Sequence, residues 1–392
     1  MSSRLAVLGA LVAVTALGAV VRAIPLAVSD FPVNDGGLFL AMTHAIRDAG
    51  WALPESLAWN GDTLPFAYPP LAFYAAGLLE SAGFDPFDVF RWLPLAASIL
   101  VVPAVYLLGR DLLRSELGGL VAALAYALTP VSFVWLIQGG GVTRAPGLLF
   151  AVLTLWQVVG LVREPVRGRV LATGVLAGLT AVTHPGAAIF TAVSAILIGV
   201  FEGRTRAAAT AAAGSLGIAL LVAAPWLVAI ASRGQLGDLV AVPSNGPDPL
   251  AAVLAVFAGR VTGAPFIDPL AIIGLAFALL SLVRRRLLLP LWFGVSVLLS
   301  YQYAMVPFGL LIGSAAMDLA AIRARGSDRR LVPLIGAGVL AAALVVEGVA
   351  GATTILQPDA PVHALDANRR DAMDWMAELP SDARIAVITG SE

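Results

Sequence analysis

About eleven apolar runs succeed one another along this chain, and they decide what it can fold into. They lie at Leu5–Val21, Trp92–Leu108, Leu117–Leu136, Gly147–Val162, Val170–Thr183, Ala187–Phe201, Ala207–Ala231, Pro269–Val283, Leu287–Tyr303, Ala304–Ile322 and Leu331–Thr353. A bilayer core of ~30 Å takes a helix of ~20 apolar residues, so each run reads as a span, several of them short. With 59% of residues hydrophobic and 12% charged, too little polar surface exists to cover a water-soluble globule of 392 residues. The expected class is therefore an all-α polytopic membrane protein.

Arginine sets the expected orientation. Every one of the 24 basic residues is arginine. Short loops carrying Arg4, Arg110, Arg114, Arg163, Arg167, Arg169, Arg204, Arg206, Arg284, Arg285, Arg286, Arg323, Arg325, Arg329 and Arg330 alternate with longer, arginine-poor ones. The positive-inside rule makes the dense set cytoplasmic, with the N-terminus inside and the first long loop and C-terminus outside a plasma membrane. Arg22 and Pro25 stand where a signal peptidase would need small residues, which favours a retained anchor over a cleaved leader. The net charge of −1 and the lack of a basic cluster argue against a nucleic-acid partner, and the absence of cysteine excludes thiolate chemistry.

Two spans must fit into the 34 residues between Arg169 and Arg204. At ~1.5 Å per residue they cannot make two full crossings, so the turn Thr183-His184-Pro185-Gly186 should sit below the outer surface. The same holds for Ser300-Tyr301-Gln302-Tyr303 between Arg286 and Arg323. Polar groups at that depth need protein or a water-filled cavity around them.

The first outer loop, residues 25–91, holds most of the chain's chemistry. Leu38, Met42, Ala45, Ile46 and Ala49 share one helical face, predicting an interfacial helix closed by Gly50. Pro69 and Pro70 open a second, with Leu71, Ala75, Leu78 and Leu79 on its apolar side. Asp35, directly before the first helix, fits an N-cap and equally a general base; Asp30 fits a shared site or a solvated charge. Tyr68, in the rigid turn PFAYPPL, reads as a substrate contact or as part of a helix start. Gly139, Gly140 and Gly141 beside Arg144 form a loop suited to a phosphate, since glycine permits close backbone approach and guanidinium binds two oxygens; a plain flexible loop fits too. His184 suits either a structural hydrogen bond or a phosphate contact. No metal-ligand spacing is present and no cofactor is called for, although Asp30 and Asp35 would accommodate a divalent ion. Residues 1–357 form the membrane domain, and 358–392, with a helix and one alternating strand, read as the start of a small α/β outer domain, minimal or truncated.

NDGGLF, PFAYPPL, GGGVTR and THPG, in this order around the first outer loop and the next spans, resemble the GT-C superfamily of polytopic glycosyltransferases. The likeness is nearest to its protein O-mannosyltransferase and aminoarabinose transferase branch, and covers the first half of the chain. Gly36 replaces the glutamate that commonly follows the family's aspartate, and Tyr68 stands where the aminoarabinose branch has lysine. The Trp-Trp-Asp signature of oligosaccharyltransferases is absent. The resemblance implies inverting transfer of a hexose or pentose from a polyprenyl-phosphate donor to a protein, lipid or glycan acceptor at the outer face. It further implies Asp35 as base with Asp30 beside it, Arg144, His184 and Gly139–Gly141 around the donor phosphate, and Tyr68, Asn34 and Tyr301 along the substrate. Two other classes fit the residues alone: a transporter or lipid flippase, which needs a similar polar cavity, and a non-enzymatic membrane scaffold.

Overall fold

The computed structural model describes residues 2–28, 36–138, 141–203, 205–237, 269–324 and 331–355, together with positions 371, 375 and 378. Asp30, Asn34, Asp35, Gly139 and Gly140 lie outside the described residues, as does nearly all of the expected C-terminal domain.

The described residues are helical almost throughout. Helix α1 (Ser2–Val28) leads into α2 (Gly36–Asp48), a short hairpin of β1 (Ser56–Trp59) and β2 (Asp62–Pro65), and α3 (Leu71–Ser81). The bundle follows: α4 (Pro86–Leu113), α5 (Glu116–Leu128), two 3₁₀ turns (Pro130–Ser132 and Val134–Leu136), α6 (Gly141–Arg163), α7 (Arg167–Ala181), α8 (Pro185–Glu202) and α9 (Arg206–Ser232). It ends with α10 (Pro269–Val283), α11 (Leu288–Leu299), α12 (Tyr301–Ala324) and α13 (Leu331–Ile355).

Among the described residues, α1, α4, α6, α8, α9 and α12 are long and apolar enough to cross a membrane, and α5 with its 3₁₀ continuation, bent by 89°, makes a seventh candidate. Their outward faces carry Leu5, Leu8, Val12, Leu216, Leu220 and Val228, all exposed. So continuous an apolar surface belongs in lipid. Three other expected spans coincide with helices of 15, 15 and 12 residues, namely α7, α10 and α11. At ~1.5 Å per residue α7 is about 22 Å long, short of a full crossing, as the spacing of Arg169 and Arg204 required.

Close approach of backbones holds the bundle centre. Gly309 and Gly313, one turn apart on α12, meet α5: a Cβ at Gly313 would lie 2.3 Å from the carbonyl oxygen of Gly118, and one at Gly309 2.8 Å from that of Ala122. Only glycine allows such contact, and helix pairs in lipid rely on this kind of packing. The bend after α5 is held by Arg22. Fully buried on α1, it donates from Nε to Ser98 Oγ (3.0 Å), and from its terminal nitrogens to the carbonyls of Gly18 (3.2 Å), Ala127 (2.9 Å) and Tyr126 (3.5 Å) and to Ser132 Oγ (3.3 Å). Two of those carbonyls belong to the last turn of α5, which has no intrahelical donors left. The guanidinium also lies 4.6 Å from the Phe133 ring centroid.

The outer loop has its own core of Phe39, Met42, Ile46, Leu57, Phe66 and Phe73. Ile46, Phe66 and Phe73 are fully buried, each contributing ~1.5–3 kcal/mol. Helix α2 matches its expected bounds, and α3 starts directly after Pro70. The buried face of α3, however, is Ala72, Phe73, Ala76, Gly77 and Glu80, while Leu78 on the expected face is 60% exposed. Glu80 is buried because Arg47 (2.6 Å) and His44 (3.2 Å) on α2 reach it, so an ion pair sits where the sequence shows only a polar interruption.

Candidate functional site

Four segments that are remote in sequence meet at one end of the bundle: the Pro-Pro turn before α3, the first turn of α6, the turn between α7 and α8, and the first turn of α12. Proline supplies two of these starts. Pro69 and Pro70 fix the turn into α3, and Pro185 occupies the first position of α8, where its missing N–H is not needed. Leu71 N–H donates to the Val182 carbonyl (2.9 Å), tying the first turn to the third. From the other side of the loop, Trp226 Nε1 on α9 donates to the Ala67 carbonyl (3.3 Å).

Tyr68 stands between the outer loop and the bundle. Its ring centroid lies 5.2 Å from that of Phe39, 5.8 Å from Phe73 and 6.3 Å from His184, and its hydroxyl is 3.2 Å from Thr143 Oγ1. Arg144 follows Thr143 in the first turn of α6, with its guanidinium 5.9 Å from the Trp135 ring centroid. The Trp135 indole N–H is buried, faces the Tyr301 hydroxyl, and makes no hydrogen bond of ordinary geometry among the described residues. One turn further along α6, a Cβ at Gly147 would fall 2.7 Å from His184 Cβ, so glycine lets the α7–α8 turn close onto the face that carries Arg144.

His184 caps α8: its Nδ1 accepts from the Ala187 N–H (3.1 Å). That bond requires Nδ1 to be unprotonated, so the neutral ring carries its proton on Nε2. The ring is packed deep among other atoms while part of its surface stays open. It offers a hydrogen-bond donor and no charge. The Tyr303 hydroxyl lies 3.2 Å from the same Nδ1, and its ring stacks on Phe190 at 5.0 Å.

Of the residues singled out in the sequence, the structure brings together Tyr68, Arg144 and His184, with Tyr301 beside Arg144 and Trp135. Tyr301 is buried in the first turn of α12, but the tyrosine that meets His184 is Tyr303, since the break falls at Ser300 and sets the register of the helix. Gly141 departs from its expected role. Its N–H donates to the Gln138 carbonyl (2.6 Å), and a Cβ there would lie 1.9 Å from the Leu136 carbonyl oxygen. Close packing of the α6 start explains this glycine, whose own N–H is taken by Gln138. Thr143, Tyr303 and Trp135 were missed; Thr143 and Tyr303 flank chosen residues, and a tyrosine two positions from another in one turn was the available signal. Among the described residues no group of three or more His, Asp or Glu is placed to hold a metal.

The arrangement can therefore receive an anion between Arg144, the Trp135 indole N–H and His184 Nε2–H, at the positive end of the α6 dipole. Residues 67–228, which contain Tyr68, Thr143, Arg144 and His184, match the dolichyl-phosphate-mannose-protein mannosyltransferase family. No curated protein matches the chain in sequence. Among solved structures, the oligosaccharyltransferase of Archaeoglobus fulgidus in its apo form superposes with a TM-score of 0.63 at 13% identity, over 95% of this chain and 58% of the other. The same enzyme, AglB, with an inhibitory peptide and a dolichol-phosphate gives 0.63 at 14% identity, over 95% and 58%. ArnT from Cupriavidus metallidurans bound to undecaprenyl phosphate gives 0.58 at 12% identity, over 88% and 76%. The chain thus spans little more than half the length of the archaeal enzyme, and at these identities the likeness is one of fold. Sequence match and shared fold are together consistent with a member of the GT-C superfamily.

Proposed function

We propose that this chain is an inverting membrane glycosyltransferase that moves a sugar from a polyprenyl-phosphate donor to an acceptor at the outer face. The observation that carries the reading is the meeting of Arg144, the buried Trp135 N–H and the neutral His184 beside Tyr68. The arginine-rich ends of the helices face the cytoplasm in this reading, and the site lies at the opposite ends. Solved relatives of the same fold hold dolichol-phosphate or undecaprenyl phosphate, which supports a lipid donor here.

The acceptor hydroxyl or amine attacks the anomeric carbon opposite the phosphate. The bond from that carbon to the phosphate oxygen breaks as the new one forms. The acceptor proton passes to the Asp35 carboxylate, assisted by Asp30, and the lipid phosphate leaves as an anion held by Arg144 and His184. Asp35 directly precedes α2 in the sequence, and Phe39 of α2 packs on Tyr68. Tyr68 and Asn34 line the acceptor in this reading.

The test is transfer in membranes supplied with labelled polyprenyl-phosphate sugars. Asp35→Asn and Arg144→Gln should each lower turnover ~10²–10³-fold, the scale for losing a general base or a charge-stabilising donor. Transfer that survives Asp35→Asn removes that residue as base; absence of transfer with every donor by folded parent protein removes the whole reading.

A further inference from the structure

At the end of the bundle opposite this site lies a second cavity, of about 580 Å³, between the last turns of α4, α8 and α12 and the tight turn joining α10 to α11. Its size falls within the ~300–1,000 Å³ range of small-molecule sites. Leu112, Leu113, Phe201 and Met317 form an apolar wall that is buried or half-buried, whereas Arg285 and Arg286 at the rim are exposed. Beside the rim, α10 leaves Leu279, Leu282 and Val283 exposed, so the cavity adjoins the apolar outer surface of the bundle.

The charges around it do not balance. Asp318 is bound by Arg284 (2.6 Å) and Arg286 (3.0 Å), and Glu202 by Arg163 (2.8 Å). Among the described residues, four guanidiniums with Arg285 thus face two carboxylates; the Arg110–Asp111 pair beside Arg163 cancels, which leaves an excess of two positive charges. Arg285 has no hydrogen bond or ion pair from its side chain among the described residues, and it sits in the turn with φ 58°. The Arg285 and Arg286 amides donate to the Leu282 (2.9 Å) and Ser281 (2.8 Å) carbonyls, the arrangement that ends a helix and that glycine normally occupies. A long cationic side chain is thus kept where the backbone would favour none.

From this we infer that the cavity binds an anionic phospholipid, its phosphate on Arg285 and the upper part of its acyl chains along Leu113 and Phe201. The leucine wall and the adjoining apolar surface of α10 select a tailed ligand over a soluble anion. Basic pockets between spanning helices take anionic headgroups in this way.

The experiment uses the full chain purified in detergent, with bound lipid read by native mass spectrometry. The probes are phosphatidylglycerol and phosphatidylcholine of identical chains, with glycerol 3-phosphate as the headgroup alone. The parent should retain phosphatidylglycerol about fivefold better than phosphatidylcholine, the scale of one arginine at a headgroup, and should not bind glycerol 3-phosphate. Arg285→Asn and Arg285→Gly both tolerate positive φ, so each should fold with an unchanged or higher Tm and lose the preference. Ser281→Phe, which fills the cavity, should reduce retention of either lipid. Equal retention of the two lipids by the parent, an undiminished preference in Arg285→Asn, or retention untouched by Ser281→Phe would each overturn the inference, and tight binding of glycerol 3-phosphate would replace the lipid with a soluble anion.

Discussion

Arg22 shows what a single side chain can hold in an apolar bundle. All its N–H groups act within one clamp that spans α1, α4 and the end of α5. Lysine keeps the charge but cannot reach these acceptors together, leaving several buried carbonyls without donors at ~1–3 kcal/mol each. Arg22→Lys should lower the Tm of the detergent-solubilised protein markedly, and a Tm equal to that of the parent would count against the clamp. His184 allows a cleaner separation of roles. His184→Asn keeps an N-cap acceptor while removing the Nε2–H donor, so transfer should fall ~100-fold with Tm unchanged, whereas His184→Ala should also lose ~1 kcal/mol of stability. Paired transfer assays and melting curves on the two variants check this. Sequence reading found His184 because an isolated histidine stands out in an apolar chain. It used Arg22 only to argue for a retained anchor and did not foresee the clamp, because that residue's partners lie 76–110 positions away, save for one carbonyl a single turn back.

Helices and turns were more readable than the contacts between them. The start and end of α2 and the Pro-Pro start of α3 follow from local rules, since caps, glycine and proline act within a few residues. The buried face of α3 does not follow, because both its sides are apolar and only the Arg47–Glu80 pair decides which one turns inward. The hairpin of β1 and β2 was legible and overlooked: Asn60 and Gly61 both have positive φ, and Asn-Gly is the usual two-residue hairpin turn. Glycines at helix contacts carry a prediction that sequence alone cannot rank. A Cβ at Gly141 would strike the Leu136 backbone carbonyl, while one at Gly160 would meet only the movable end of Arg169. Gly141→Ala should therefore cost several kcal/mol and shift the start of α6, and Gly160→Ala less than ~1 kcal/mol. Thermal denaturation of the two variants side by side decides it.

At the level of the molecule, the outer loop is clasped by the far end of α9. Arg233 donates to the carbonyls of Pro54 (2.7 Å) and Leu53 (2.8 Å), and Gln235 to that of Glu55 (2.7 Å). Hydrogen bonds to a charged group contribute ~1.5–3 kcal/mol, so Arg233→Ala should raise hydrogen exchange across residues 53–66 while leaving α4 and α6 as protected as before. Equal exchange in the variant would mean that the outer-loop core needs no clasp. The two-ended layout, with a polar site at one end and arginine-rich turns at the other, was legible from charge distribution, whereas the clasp was not, because it joins segments 159–180 residues apart. That separation also has a consequence in time. At ~5–20 residues per second, the ribosome needs roughly 7–29 s after finishing the outer loop before it delivers the residues that fasten it. During that interval the loop is held only by its own small core and by its contacts with Thr143, Val182 and His184, which makes the newborn chain open to proteases and chaperones at the segment where the mature protein is tied down.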